Sequence, residues 1–298
     1  MIVNASTLSG LTTGFRKNFN DAFAGATTAY KRVATVVPSN TKEEAYPWLG
    51  AFPRMRKWVD GRVLKSIKEH GYKIANEKFE LTVDVERDAI EDDTFGVYKP
   101  MFEAMGQATA EFPDELVFGL LPKGFSTNCY DGQYFFDTDH PVIDPATGAA
   151  ASVSNMQAGT GAPWFLLDTT RPLKPLILQE RVKPDFVAQD DPKNPKVFDQ
   201  DKFVYGSRAR YGVGFGFWQM AFGSKAALTE ANFNAARLAM ENFKNDEGVK
   251  LGIKPNLLVI GSSSEAAAEE ILKKQNKTGG ESNVNFNRVE VLKVSWLD

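Results

Sequence analysis

The densest group of chemically capable side chains lies in the segment Asp131-Gly-Gln-Tyr-Phe-Phe-Asp137-Thr-Asp139-His140-Pro-Val-Ile-Asp144. Carboxylate oxygens and an imidazole nitrogen could bind a hard cation or a first-row transition metal. The spacing matches neither a calcium-binding loop nor a zinc motif, and no second cysteine or nearby histidine completes a site. The sequence therefore favours a structured loop built on Asp side chains. A metal-dependent enzyme using Asp137, Asp139 and His140 is the weaker alternative.

Two glycine-rich or serine-rich segments could contact a nucleotide. Gly212-Val-Gly-Phe-Gly-Phe217 lacks the spacing and the strand-turn-helix context of a dinucleotide fingerprint, so its glycines indicate close backbone packing in a strand. Gly261-Ser-Ser-Ser-Glu265 has no P-loop lysine, and it indicates a capping box that opens a helix over 265–274. A serine nucleophile would need a base, and neither His70 nor His140 lies in a recognisable catalytic motif. We therefore expect no cofactor and no enzyme.

The composition indicates a folded protein that works neither in a membrane nor mainly on nucleic-acid phosphates. The 298 residues are 43% hydrophobic and 24% charged, and the net charge of -3 excludes a broad positive field. The single cysteine, Cys129, cannot form an internal disulfide and fits a reducing compartment. Because the sequence has no signal-peptide pattern and no apolar run long enough to span a bilayer, we expect synthesis in the cytosol.

Residues 1–40 are expected to form an arm rather than a compact domain. Leu11, Phe15, Phe19 and Phe23 recur every four residues, which places them on one stripe of an amphipathic helix. The stripe could pack on its own subunit, which we favour, or dock on a neighbouring one.

Residues 41–78 are irregular, aromatic and basic. Their aromatic rings Trp48, Phe52 and Trp58 are costly to leave in water. The segment has an excess of cations and the next stretch an excess of acids, a pattern that usually marks solvated faces and could instead mark a basic flap laid on an acidic neighbour. The cations are Arg54, Arg56, Lys57, Arg62, Lys65, Lys68, Lys73 and Lys78, and the acids are Glu80, Asp84, Glu86, Asp88, Glu91, Asp92 and Asp93.

Hydrophobic periodicity predicts the elements that follow. Alternation from Phe79 to Val85 predicts a strand, and helical spacing predicts a long helix over about 95–121, ended by Pro122 and Gly124. The apolar stripe of that helix is predicted as Val97, Met101, Met105, Ala108, Phe112, Leu116 and Leu120. Further strands are predicted at 164–167, 173–179, 205–222, 256–260 and 289–296, with a helix stripe at Phe233, Ala236, Met240 and Phe243.

Seven runs of sequence, spread in order over nearly the whole chain, are similar to a known family. They are Pro47-Trp-Leu-Gly-Ala-Phe-Pro-Arg-Met-Arg-Lys-Trp58, Phe79 to Asp93, Asp131 to Pro141, Trp164-Phe-Leu-Leu-Asp168, Pro172-Leu-Lys-Pro175, Tyr205 to Gln219, and Leu251-Gly-Ile-Lys-Pro-Asn-Leu-Leu-Val259. In these residues the chain resembles the major head subunit of Mu-like phages and prophages.

The resemblance implies an α+β fold of the HK97-like capsid type. It implies an N-terminal arm at 1–40, an extended E-loop at 41–78, and a P-domain strand and spine helix at 79–124. It further implies mixed A-domain loops and returning P-domain strands at 125–224, and an A-domain at 225–298. An encapsulin-type nanocompartment shell shares this fold and is the second alternative for the function.

The implied function is self-assembly into an icosahedral shell that encloses a phage genome. The implied partners are other copies of the chain in hexamers and pentamers, portal, scaffold and decoration proteins, and packaged double-stranded DNA bound non-specifically, with no membrane. Assembly is expected in the bacterial cytoplasm and the product in the virion. The interface residues are predicted as the arm residues Phe15, Phe19 and Phe23, the flap residues Trp48, Phe52, Arg54, Arg56, Lys57 and Trp58, and the acids Glu86, Asp88, Glu91, Asp92 and Asp93.

Overall fold

The computed structural model describes residues 5–49, 71–92, 96–144, 147–245, 248–277 and 279–297. The structure contains helices and sheets whose strand pairings are mostly antiparallel, which is typical of an α+β protein. The helices are α1 Ala5–Gly25, α2 Tyr30–Val33, α3 Arg87–Glu91, α4 Lys99–Lys123, α5 Pro195–Gln200, α6 Glu230–Glu241 and α7 Glu265–Leu272. No helix in these described ranges is long and apolar enough to cross a membrane.

The strands fall into two larger sheets and two short pairs. They are β1 Ala34–Pro38, β2 Glu43–Ala45, β3 Lys73–Ala75, β4 Glu77–Glu86, β5 His140–Ile143, β6 Ala150–Val153, β7 Met156–Gln157, β8 Trp164–Leu167, β9 Leu176–Val182, β10 Phe186–Gln189, β11 Lys202–Phe215, β12 Ala221–Ser224, β13 Leu257–Ile260 and β14 Glu290–Lys293. One sheet has the order β1-β9-β11-β10, with β4 also paired to β11. The other has the order β14-β13-β8-β12-β7, and the pairs are β2–β3 and β5–β6.

The long strand β11 organises the first sheet. It pairs antiparallel with β4 along ten residues on one side, and on the other side with β10 and then β9. The alternation that predicts β4 is confirmed, because its apolar side chains from Phe79 to Val85 are half-buried or buried and the side chains between them are exposed. The predicted strand over 205–222 is wrong in extent. It divides at Gly216 and Phe217 into β11 and β12, which belong to different sheets.

The helix α4 connects two separate hydrophobic cores. Its C-terminal half contributes Val117, Phe118 and Leu121 to the larger core, which spans both sheets. Its N-terminal half contributes Phe102 and Met105 to a smaller core formed with α1, β10 and the adjoining ends of β4 and β11. The buried residues Phe102, Gly106, Ala110, Pro113, Val117 and Leu121 follow helical spacing and form one stripe, which coincides only in part with the predicted one. Ala108 and Val97 of the predicted stripe are exposed.

The segment predicted as a capping box, from Ser262 to Glu265, leads into α7, and the predicted helix start at Glu265 is confirmed. Residues Ser262–Ser264 form a 3-10 turn, and Ser264, the residue before α7, makes no side-chain capping hydrogen bond. The predicted strand Trp164–Leu167 is confirmed with the same bounds and is fully buried.

Candidate subunit interface and a buried histidine centre

The arm stripe packs on its own subunit. Phe15 and Phe19 are buried, and the ring of Phe15 stacks on Phe102 at 4.1 Å between centroids. Phe19 contacts Phe186 at 5.4 Å, and Phe23 is half-buried beside Phe19. These rings are part of the smaller core, together with Phe186 and Tyr205, whose rings also contact Phe102 of α4. In this conformation Phe15 and Phe19 are core side chains of their own subunit, which is the packing that the sequence favours for this stripe.

A glycine allows this close packing of arm and helix. A Cβ atom placed on Gly106 of α4 would lie 2.2 Å from the backbone oxygen of Phe19. Only glycine lets the two helix backbones approach so closely at that point. The sequence gives no local sign of this contact, since Gly106 is simply one residue inside a helical pattern.

The segment from 41 to 78 begins and ends at one place on the body. β2 pairs antiparallel with β3, with Glu44 opposite Ile74, and Lys73 forms an ion pair with Glu43 at 2.8 Å. Trp48 is half-buried, and its ring contacts Tyr46 and Phe217 of the same subunit at 5.7 and 6.0 Å. The other predicted flap residues lie outside the described residues: Phe52, Arg54, Arg56, Lys57 and Trp58.

Buried polar contacts fix this β2–β3 base to the first sheet. The hydroxyl of Tyr46 donates to Gln179 Oε1 at 2.7 Å, and Gln179 Nε2 donates to the backbone oxygen of Ile74 and to Asn76 Oδ1, each at 3.1 Å. The alternating glycines of β11 make room for the base, since a Cβ on Gly212 would lie 2.6 Å from the oxygen of Ala75. The interpretation of these glycines as close-packing residues is confirmed.

The acidic group predicted to receive the flap lies at the end of β4 and in α3. Glu86, Asp88 and Asp92 are exposed, whereas the side chain of Glu91 and all of Asp93 are outside the described residues. The Nζ atom of Lys202 in the same subunit lies 2.6 Å from Oδ2 of Asp84 and 3.6 Å from Oε1 of Glu86. Part of the negative charge at this end of the sheet is therefore already balanced within the subunit.

The Asp-rich loop is organised around His140 rather than around Asp137 and Asp139. Within the described ranges, Cys129, Asp131 and His140 form the one cluster of three side chains that could hold a metal ion. One possible ligand atom of each lies within 4.8 Å of those of the other two. Their atoms are already hydrogen-bonded: His140 Nδ1 lies 2.7 Å from Asp131 Oδ2, and Cys129 Sγ donates to Asp131 Oδ1 at 3.0 Å. Asp137 instead accepts the backbone N–H groups of Tyr134 and Thr138. The geometry is that of a structured loop.

The protonation states within this centre follow from burial and hydrogen bonding. Burial disfavours the ionised form of Asp131, but hydrogen bonds and charge from His140, with further bonds from Cys129 and Gln133, outweigh it and lower the pKa of the carboxyl. Burial, reinforced by the nearby Asp131 charge, raises the pKa of the Cys129 thiol far above its usual range. Asp131 is thus an anion and Cys129 a neutral thiol, which makes Cys129 an unreactive residue.

Two further polar residues position the elements around these sites, and neither was predicted from the sequence. Asp114 of α4 accepts the backbone N–H groups of Ala29 and Tyr30 at 2.6 to 3.0 Å, which holds the start of α2 on α4. Asn155 is fully buried and binds five different groups around the Asp-rich loop and β12. Their partners are remote in sequence, so no local motif marks them.

Comparison with known proteins gives one consistent result along the full chain. The model of the family described as Mu-like prophage major head subunit gpT matches residues 8–297. The major capsid protein of Escherichia phage Mu is 42% identical over 290 residues, which cover 96% of this chain and 95% of that protein. The Mu-like prophage FluMu major head subunit of Haemophilus influenzae is 44% identical over 279 residues, covering 92% and 91%.

Solved structures agree with the sequence comparisons. A chain of the bacteriophage JBD30 procapsid superposes with a TM-score of 0.88 at 48% identity, covering 99% of this chain and 100% of that one. A chain of the bacteriophage JBD30 capsid superposes with a TM-score of 0.80 at 34% identity, covering 100% of both chains. These similarities give no support to the nanocompartment and metal-enzyme alternatives.

Proposed function

Because this chain belongs to the Mu-like prophage major head subunit gpT family, it is a phage major capsid protein with the α+β capsid fold, and we propose that its copies assemble into a closed icosahedral shell. The observation that carries the proposal is the full-length superposition on a procapsid subunit. Closed shells require one surface of a subunit to fit a different surface of the next, around five-fold and six-fold positions. The product is a part of the virion, and it acts as a structural protein rather than as an enzyme.

Under this proposal, the domains follow the expected division into arm, E-loop, P-domain and A-domain. The two-sheet organisation supports it, since residues 164–167 and 221–224 share a sheet with 257–260, while 176–182 and 202–215 share one with 77–86. Residues 125–224 thus contribute to both halves of the body. The A-domain would then consist of the second sheet with α6 and α7.

The flap is proposed to reach an adjacent subunit from the β2–β3 base. The base is fixed by the β2–β3 pairing and by the ion pair between Glu43 and Lys73. The residues between β2 and β3 can therefore extend while the body keeps its shape. Phe52 and Trp58 would bury their rings on the neighbour, and interface aromatic residues commonly contribute ~2 kcal/mol or more each. Trp48 contacts Phe217 of the same subunit, so in this proposal it packs on the body at the base of the flap and not on the neighbour.

The basic residues of the flap are proposed to meet the acidic end of β4 and α3 on that neighbour. Glu86, Asp88 and Asp92 are exposed at the surface of the subunit. Charge pairs at an interface rim mainly set register and the rate of association. They can therefore choose the correct partner surface without making the contact irreversible.

The remaining partners follow from the same proposal. The JBD30 capsid is described as decorated with minor capsid protein trimers, and we propose that a decoration protein also binds shells of this chain. A portal, a scaffold and packaged double-stranded DNA held without sequence specificity would complete the head, with assembly in the bacterial cytoplasm.

A charge-swap experiment tests the flap contact. Arg54→Glu with Arg56→Glu and Lys57→Glu should abolish shells seen by electron microscopy while the subunit remains folded by circular dichroism. Adding Glu86→Lys and Asp88→Lys should restore particles, and the acid substitutions alone should again abolish them. If the variant with all five substitutions forms no more particles than the variants with three or two of them, the proposed pairing is wrong. That outcome leaves the proposal of shell formation intact, provided that the wild-type chain assembles normally.

A further inference from the structure

Strand β4 lies at the edge of the first sheet. It pairs with β11 along all its residues from Glu77 to Glu86 without a register shift, and no other described strand pairs with it. The backbone hydrogen bonds that loops and turns of the described chain make do not reach these residues either. An open strand edge presents a row of backbone donors and acceptors that can pair with another chain.

The hydrogen-bond pattern shows which β4 residues present those groups. The N–H of Arg87 donates to the oxygen of Asp201 at 3.0 Å, and this pair continues the β4–β11 register by one step. On the opposite side of β11, the N–H of Gly216 donates to the oxygen of Pro175, which continues the β9–β11 register. Because hydrogen-bonded pairs alternate along an antiparallel ladder, both bonds show that the odd-numbered residues of β4 point to β11. The residues that point their N–H and C=O groups outward are Lys78, Glu80, Thr82, Asp84 and Glu86.

This edge has little of the protection that exposed strands usually carry. Proteins protect such edges with proline, a bulge, a short strand or charge. β4 contains no proline, no glycine and no bulge, but Glu80, Asp84 and Glu86 form an exposed acidic row along it. Two β4 strands paired with each other would set two acidic rows side by side, and like charges at cross-strand positions are destabilising. The row therefore disfavours a second β4 as the partner and favours a strand rich in cations.

The outer part of the flap, residues 50–70, meets this requirement. Its 21 residues include six cations and two acids: Arg54, Arg56, Lys57, Arg62, Lys65 and Lys68 against Asp60 and Glu69. Since the β2–β3 pairing holds the two flanks together, the chain between them has to leave the body and return, which gives each limb about ten residues. Ten extended residues span about 33 Å, and β4 itself has ten residues.

We propose that the outer edge of β4 receives one limb of the flap of an adjacent copy as an added strand, so that the first sheet continues from one subunit into the next. This inference rests on the proposed function, because it needs a second copy in contact. Backbone hydrogen bonds give such strand addition its affinity. The flap cations then lie at cross-strand distance from Glu80, Asp84 and Glu86.

The alternation along β4 provides a test at single residues. In the unassembled subunit, the amide hydrogens of Glu80, Thr82 and Asp84 should exchange rapidly with solvent, whereas those of Leu81 and Val83, which point to β11, should exchange slowly. In shells transferred to deuterated water, magic-angle-spinning NMR should find all five amides protected. Rapid exchange of the three outward amides in shells would overturn the proposal. Their protection before assembly would overturn it as well, since the edge would then be covered within one subunit.

A proline at Thr82 tests the backbone contact without changing a charge. Thr82→Pro removes an outward N–H group, places the ring where the added strand would lie, and keeps the backbone bonds between β4 and β11. Thr82→Ala is the matched control, because it removes the same side chain and keeps the N–H group. Both variants should be folded by circular dichroism, and electron microscopy should show shells of Thr82→Ala only. Normal shells of Thr82→Pro would contradict the proposal, and the exchange test on the wild-type chain does not depend on this variant folding.

Shells assembled from a mixture of 15N-labelled and 13C-labelled copies identify the added strand. We expect magnetisation transfer from the amide nitrogens of Glu80, Thr82 and Asp84 to carbonyl carbons of residues 50–70, and this transfer can only cross between copies. Transfer to carbonyl carbons of β4 or of another segment would overturn the assignment to the flap. A wild-type chain that forms no shells would refute the proposed function and this inference with it, whereas shells with an unpaired β4 edge would refute this inference alone.

Discussion

Replacing Gly106 with alanine should push the arm helix away from α4. The added Cβ would lie 2.2 Å from the backbone oxygen of Phe19, whereas a carbon–oxygen contact normally needs about 3.3 Å. The two backbones must therefore separate by about 1 Å. Overpacking of this kind costs about 1–3 kcal/mol, and the upper bound is complete undocking of Leu8, Phe15 and Phe19, about 5–9 kcal/mol.

Gly119 of the same helix is the matched control, because nothing lies within 4 Å of a Cβ placed there. Both substitutions gain about 1 kcal/mol of helix propensity. Urea unfolding of the unassembled subunit should show Gly119→Ala as the more stable of the two variants by about 1–3 kcal/mol. Hydrogen exchange of the backbone amides should show that protection is lost in residues 8–23 of the Gly106→Ala variant.

Equal stabilisation by the two alanines, with unchanged amide exchange in α1, would refute the reasoning about the helix crossing. It would show that α1 is displaced without cost or lies elsewhere in solution. If Gly119→Ala lowered the free energy of unfolding as much as Gly106→Ala, the cause would lie within α4 and not in its contact with α1.

Three other substitutions test the contacts around the flap base and the arm. Gly212→Ala should lower the yield of particles counted by electron microscopy, because its Cβ meets the oxygen of Ala75 at 2.6 Å; Gly206→Ala on the same strand, with its nearest atom at 3.3 Å, is the control that should assemble normally. Asp114→Ala strands the N–H groups of Ala29 and Tyr30, so the free energy of unfolding should fall by about 2–4 kcal/mol in denaturant titrations; no change would mean that water replaces the carboxylate. Backbone N–H groups of Asn40 and Thr41 lower the pKa of Glu44 from 4.5 to about 2, so its stabilisation is complete above pH 4.5 and disappears as the pH falls through 2. Glu44→Gln should therefore destabilise the subunit at pH 7 in thermal melts, and a deficit that did not shrink between pH 4.5 and 2 would contradict this assignment.

The elements with a simple period could be predicted from the sequence. Alternation located β4, a fully apolar run located β8, and the four-residue recurrence of Phe15, Phe19 and Phe23 located the stripe of α1. The patterns of β4 and α1 reflect burial of a single face, and the apolar run of β8 reflects burial of both faces of the strand. In α4 the buried stripe coincides only in part with the predicted one, so the same method also selected exposed residues such as Ala108.

The polar anchors of the fold could not be predicted in this way. Gln179 and Tyr46 are 133 positions apart, and Asp114 binds the backbone of Ala29 across 85 positions. Such pairs carry no spacing signal, because the fold alone brings them together. The division between β11 and β12 has the same origin, since two sheets compete for one continuous run of glycines and aromatic residues.

The β2–β3 ladder has a consequence for the evolution of shell geometry. Since the β2–β3 pairing holds the two flanks of the flap together, changing the number of residues between Leu49 and Gly71 alters the entropy of closing that connection, and a doubling costs about 0.6 kcal/mol. Insertions and deletions in this segment would leave the folding of the body almost untouched. Relatives could thus vary the reach between neighbouring subunits, and with it the curvature and volume of the particle, on an unchanged scaffold.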